Sequence, residues 1–124
     1  MGVATMKECI IQIEYAADLA IVQLNGSLDA YSFPRLESML NELREKNRYQ
    51  VILDCTTLDY VSSAALGALI GFARKVRQNG GDLKLAKLSK RIYTIVELLG
   101  FHKIVEIYPT VEQAAAKFGI VMGP

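Results

Sequence analysis

The sequence predicts an α/β fold: a mostly parallel, mixed β-sheet of about five strands, with an antiparallel N-terminal hairpin and about four helices. Three observations support it. Short runs rich in Ile, Val and Leu alternate with segments of helical periodicity. Parallel neighbours need a crossover, which a helix supplies in right-handed sense. Between the first two apolar runs, Ala16-Ala17-Asp18 is short enough for a hairpin. The chain has 124 residues, 52% of them apolar, which suits one domain over residues 1–124. Residues 1–6 and 119–124 are the segments open to disorder, with Met6 a natural start and residues 1–5 a disordered lead, although Ile120, Val121 and Met122 are apolar enough to dock on the domain or a partner.

The hairpin strands are residues 9–15 and 19–26. Ser32 then caps a helix with Pro34 in its first turn; Leu36, Met39, Leu40 and Leu43 form its buried stripe, and Glu37, Glu42 and Lys46 face water. Residues 51–54 make a short apolar strand covered on both faces. A loop over residues 55–61 leads to a second helix, whose Leu66, Leu69, Ile70, Ala73 and Val76 point inward and which ends at Asn79-Gly80-Gly81. Residues 83–86 form the next strand. Ser89 caps a third helix with Ile92, Ile95, Val96 and Leu99 on one face, terminated by Gly100. Residues 104–108 are the last strand, and Thr110 with Gln113 makes a capping box for a helix reaching about Phe118.

Charge and composition exclude several classes. The 14 basic and 13 acidic residues nearly cancel and nowhere cluster, so neither nucleic acid nor an anionic membrane is expected as a partner. No apolar run approaches the roughly eighteen residues of a membrane span, and a cytoplasmic location is expected. Cys9 and Cys55 are the two cysteines, too far apart for a redox or zinc motif, and read as buried free thiols. His102 is the one histidine and lies in a loop, and no Gly-x-Ser-x-Gly elbow or Walker phosphate loop is present, so intrinsic catalysis is not expected and no cofactor or metal is assigned.

The chemistry concentrates at Ser62-Ser63, where the loop gives way to the second helix. The first amides of a helix lack partners, so one serine there serves as a cap worth roughly 1 kcal/mol. Ser62 fits that role; Ser63, next in line, lies in the first turn, open to a modifying enzyme. A phosphate on Ser63 would bring about −1.5 to −2 charges, which the helix end favours by roughly 0.3 to 1 kcal/mol. Across an interface the sign reverses. A double charge roughly 6 Å from a partner carboxylate is opposed by up to about 5 kcal/mol at an effective dielectric near 20, whereas about 1.4 kcal/mol changes affinity tenfold.

Four features together resemble the STAS-domain anti-sigma-factor antagonists, over residues 7–118. They are Gly26-Ser27-Leu28-Asp29-Ala30; Val51-Ile52-Leu53-Asp54 leading to Ser62-Ser63-Ala64-Ala65-Leu66-Gly67; Gly80-Gly81-x-Leu83-x-Leu85; and Leu98-Leu99-Gly100-Phe101 with Ile107-Tyr108-x-Thr110-x-Glu112-x-Ala114. The resemblance implies a partner switch that regulates transcription. The unphosphorylated antagonist binds an anti-sigma serine kinase and frees a sigma factor, the kinase phosphorylates the antagonist and releases it, and a serine phosphatase resets the cycle. ATP and magnesium belong to the kinase in this scheme, and the antagonist is a monomer or weak dimer.

The family's familiar form reads Asp-Ser-Ser-Gly-Leu-Gly. Aligned on Leu66-Gly67, Ser62 replaces the acidic residue, Ser63 matches the first serine, Ala64 occupies the usual acceptor position, and Ala65 replaces a glycine. A Ser-Ser-Ala-Gly version is closer, and there the serine before alanine is the candidate, which makes Ser63 the first choice for phosphate and Ser62 the second. Ala64 and Ala65 are candidate partner contacts, the Ala65 methyl standing where glycine would allow close approach. Asp29 is a candidate to hold a loop amide or touch the kinase, with a local Asx turn or cap before Ser32 as the equal alternative. Asp59 is a candidate interface residue. Two other readings stay open: a STAS domain that never cycles through phosphate and serves as a fixed subunit of a sensory, transport or lipid-handling complex, and a small-ligand sensor in which the serine amides bind an anion directly.

Overall fold

The computed structural model describes residues 9–122; the expectations for residues 1–6, and for 123 and 124, fall outside that range. Strand β1 (Ile10–Ala16) turns at Ala17, which takes a positive φ of 53°, into β2 (Leu19–Leu28), and the two pair antiparallel with Ile13 opposite Val22. Helix α1 (Phe33–Glu45), β3 (Gln50–Asp54), β4 (Leu58–Val61), α2 (Ser63–Gln78), β5 (Asp82–Ala86), α3 (Lys90–Leu98), a 3-10 turn at Phe101–Lys103, β6 (Glu106–Tyr108) and α4 (Val111–Lys117) follow. The sheet runs β1-β2-β3-β5-β6, parallel from β2 onward. It is the mixed, mostly parallel α/β sheet that the sequence predicts, with four helices and six strands among the described residues instead of about five.

The extra strand is β4, which the sequence reading leaves as loop. It pairs parallel with the far end of β2, Leu28 beside Val61, because β2 outruns β3 and leaves its last residues without a neighbour. A register shift between Gly26 and Ser27 makes that hand-over possible, and Gly26 sits there at φ 102°, a conformation that glycine adopts without strain.

Alternation along the central strands splits the apolar residues between two layers. Ala20, Val22, Val51, Leu53, Leu83 and Leu85 face the larger core, shared with Leu36, Met39 and Leu43 of α1, Leu66, Leu69 and Val76 of α2, and Ile92 and Val96 of α3. Leu19, Ile21, Ile52 and Ala86 face the opposite side, covered by Val111, Ala114 and Ala115 of α4. Ile120 and Met122 pack on this second layer, and the amide of Ile120 donates to the Ala115 carbonyl. Lys84 also faces this layer, 5% exposed beneath the Phe118 ring. Burial opposes its charge, but hydrogen bonds to Glu106 (2.5 Å) and Asp82 (3.0 Å) outweigh that and hold the ammonium above its usual value. Asp82, which also accepts from Arg77 at 2.8 Å, and Glu106 are correspondingly held below the usual carboxylate range.

Two local expectations are corrected. Ser32 precedes α1 but does not cap it, since its hydroxyl turns back to the preceding loop. Leu99 lies just past the end of α3 and is 51% exposed, outside the buried stripe. His102 is half-buried in its 3-10 turn, and its Nδ1 is buried without a partner among the described residues. Cys9 and Cys55 are buried free thiols, and burial pushes both up from the usual thiol value. No helix among the described residues is long and apolar enough to cross a membrane.

Candidate functional site

The parallel pairing of β2 and β4 brings two chain ends together. Beyond Leu28 the chain turns into the Asp29 loop, and beyond Val61 it turns into α2, the Ser62 amide donating to the Leu28 carbonyl at 2.9 Å. Ser62 is extended (φ −84°, ψ 159°), which aims its hydroxyl back along the helix, where it accepts from the Ala65 amide at 3.1 Å. Its carbonyl accepts from Leu66 at 3.0 Å, the first bond of the helical ladder. Ser62 is therefore a working cap and is half-buried.

Ser63 and Ala64 occupy the first two helical positions and are exposed. The Ser63 hydroxyl makes no hydrogen bond among the described residues, and the amides of Ser63 and Ala64 lie ahead of the helical ladder. Those groups and the helix dipole give the turn a positive character that accommodates an anion. Ala65 is different: it is fully buried, its methyl in the core with Leu66 and Leu69, so it presents no surface to a partner. Glycine at that point would open a void below the helix and not a way in above it.

Asp29 forms a local knot. Its Oδ1 accepts from the amides of Tyr31 (3.0 Å) and Ser32 (3.3 Å), an Asx turn. The Ser32 hydroxyl accepts from the Asp29 amide at 2.7 Å and donates to the Ser27 carbonyl at 2.8 Å. Of the two roles open to Asp29 in the sequence, loop-holding is what its carboxylate does here. Asp59 lies half-buried in β4. Two aromatic side chains that the sequence reading did not select flank the turn: Tyr31 on the Asp29 loop, 78% exposed, and Tyr60 at the end of β4, 42% exposed.

Beneath the turn, Leu28, Cys55, Val61, Leu66 and their neighbours enclose an apolar gap of about 10 Å³. A water molecule barely fits such a space, and its lining offers no polar partner, so this gap is not a ligand pocket. Among the described residues, no group of three or more His, Cys, Asp or Glu side chains is arranged to hold a metal. What the site offers is a surface: one exposed hydroxyl, two amides and two tyrosines.

Known proteins resemble this chain in sequence and in fold. BtrV of Bordetella bronchiseptica is 33% identical over 100 residues, covering 81% of this chain and 86% of its own. The anti-sigma-B factor antagonist of Listeria monocytogenes is 32% identical over 82 residues, 66% of this chain and 72% of its own. The Bacillus cell fate determinant SpoIIAA, solved in its phosphorylated form, superposes with a TM-score of 0.68 at 17% identity, over 88% of this chain and 99% of its own. The unphosphorylated form of this anti-sigma factor antagonist gives a TM-score of 0.75, over 91% and 100%. The STAS domain profile matches residues 11–114, from β1 into α4, which takes in every element of the turn. This chain belongs to the STAS domain family.

Proposed function

We propose that this chain is a cytoplasmic anti-sigma-factor antagonist, a single non-enzymatic domain whose grip on an anti-sigma serine kinase is ended by phosphate on Ser63. The observation that carries the reading is the division of labour at the turn: the Ser62 hydroxyl is engaged in the cap, while the Ser63 hydroxyl is exposed on the next residue. A kinase reaches the second without unmaking the helix. The names of the relatives, anti-sigma factor antagonists among them, and the two solved forms of SpoIIAA support the same assignment.

In the proposed cycle the kinase supplies ATP and magnesium. Ser63 Oγ attacks the γ-phosphorus, the new O–P bond forms as the bond to ADP breaks, and the hydroxyl proton passes to a base on the kinase. The phosphoserine is tolerated by the positive helix end and repels an acidic partner surface, so the complex separates while the fold persists. A serine phosphatase restores the hydroxyl. Tyr31, Tyr60 and Ala64 form the adjoining contact surface, since exposed tyrosines supply large contact area at low conformational cost.

Incubation with the host's anti-sigma kinases, ATP and magnesium, followed by intact-mass measurement and fragmentation, tests the assignment. One phosphate on Ser63, absent from Ser63→Ala and accompanied by loss of kinase binding, is the expected result. Failure of every kinase to modify the chain, together with stable binding to one complex regardless of ATP, overturns it in favour of a fixed subunit.

A further inference from the structure

Strand β1 forms one border of the sheet, and among the described residues it pairs only with β2. Protein sheets ordinarily guard such a border with proline, lysine, a bulge or a covering element. Ile10–Ala16 contains neither Pro nor Lys, Glu14 is its one charged residue, and its register with β2 runs unbroken over all seven residues. Its apolar content is high for an edge, with Ile10 55% exposed. Ile11 and Ile13, half-buried, lean toward α1 and form one wall of an open groove of about 510 Å³, with Pro34 and Met39 opposite.

From this we infer that β1 pairs with β1 of a second copy of the chain, antiparallel about a two-fold axis through Ile13, to give a continuous sheet across a homodimer. The register follows from symmetry. A dyad perpendicular to the sheet keeps each residue on its own face, so only pairings whose two residue numbers sum to an even value are permitted. The dyad at Ile13 is the one that uses the whole strand, Ile10 pairing with Ala16 of the second copy. It sets Ile13 against its own copy and Ile11 against Tyr15, all on the α1 face, and it sets Gln12 against Glu14 on the other face, an amide donor to a carboxylate. A dyad at Gln12 would place apolar Ile10 against Glu14, and one at Glu14 would oppose two carboxylates.

The geometry leaves the serine turn free. The turn lies at the C-terminal ends of β2 and β4, beyond the Ile10 end of β1, and the antiparallel dyad sends the two turns in opposite directions. Each copy therefore keeps its own partner-binding end. The inference does not depend on Ser63 being a phosphate acceptor.

Sedimentation velocity on the full chain, from micromolar to millimolar concentration, tests the dimer, and substitution at Gln12 tests the register. Gln12 is exposed, and its neighbour on β2 is Gln23, so neither charge sign should disturb the fold. In the dimer Gln12→Glu faces a carboxylate twice and Gln12→Lys faces it twice with the opposite sign. With cross-strand pairs of ordinary strength, the first should weaken and the second should strengthen association by about 2- to 30-fold in dissociation constant. A mass that stays monomeric throughout, or two variants that shift association in the same direction, would overturn the proposal.

Discussion

Replacing Ser62 and Ser63 by alanine, singly and together, should separate the structural hydroxyl from the switching one. Ser62→Ala removes the acceptor that holds the Ala65 amide at 3.1 Å, leaving that amide half-shielded without a partner. Loss of a serine cap costs about 1 kcal/mol, within a range of about 0.5 to 2. For a domain of this length, 1 kcal/mol corresponds to a drop in Tm of roughly 3 to 5 °C. Ser63→Ala removes a hydroxyl that bonds nothing among the described residues, and alanine is the better helix former, so its Tm should stay level or rise slightly. The double variant should match the sum, since only one of the two side chains does structural work. Ser63→Asp adds a charge to the first turn and should raise stability by about 0.3 to 1 kcal/mol while weakening the kinase complex, measured by urea unfolding and calorimetric titration. A Ser63→Ala variant destabilised as much as Ser62→Ala would refute the division of labour between the two serines, and with it the reason for choosing Ser63.

Removing the buried ammonium should flatten the pH dependence of stability. Lys84→Met is expected to cost about 1 to 3 kcal/mol at neutral pH, because Asp82 keeps Arg77 and Glu106 is 58% exposed to water. Asp82 and Glu106 are depressed in the folded protein, so their contribution is present above about pH 4 and disappears as pH falls through the folded values. Lys84 is raised, so its own contribution is complete below about pH 10.4 and disappears as pH climbs through the folded value. Urea unfolding from pH 2 to 11 should show both arms shallower in the variant; parallel curves would contradict the network. Cys9 and Cys55 should resist thiol reagents in native buffer and react at once in denaturant, and rapid labelling of the folded protein would count against their burial. Gly81→Ala should destabilise by about 1 to 3 kcal/mol, because the new Cβ would fall 1.9 Å from the Tyr49 carbonyl oxygen; unchanged stability would rule out that close approach.

Most of the architecture can be read from local signals that the tertiary structure reinforces. Ser62, Ser89 and Thr110 each accept from the amide three residues on, as their positions ahead of apolar-periodic segments imply. Where local signals compete, the sequence is ambiguous. Ser32 stands at a helix start, but Asp29 three residues earlier offers a better use for its hydroxyl, and the loop knot forms in place of the cap. Strand β4 is four residues long, with Asp59 and Tyr60 in the middle, too short and too polar for a periodic signal; it exists because β2 extends past β3 and needs a neighbour. At the site, the order of serines and alanines marks the turn, but the burial of Ala65 and the exposure of Tyr31 depend on how β2 and β4 align, which no single segment encodes.

The Asp29 loop has a consequence for the speed and strength of recognition. Its carboxylate and the Ser32 hydroxyl close a ring of hydrogen bonds in the free protein, while Tyr31 projects from the middle of it. A phenol carried on a pre-shaped loop of this kind surrenders little freedom when a protein docks on it, so complex formation there should require no folding step and leave the loop's B-factors much as they were.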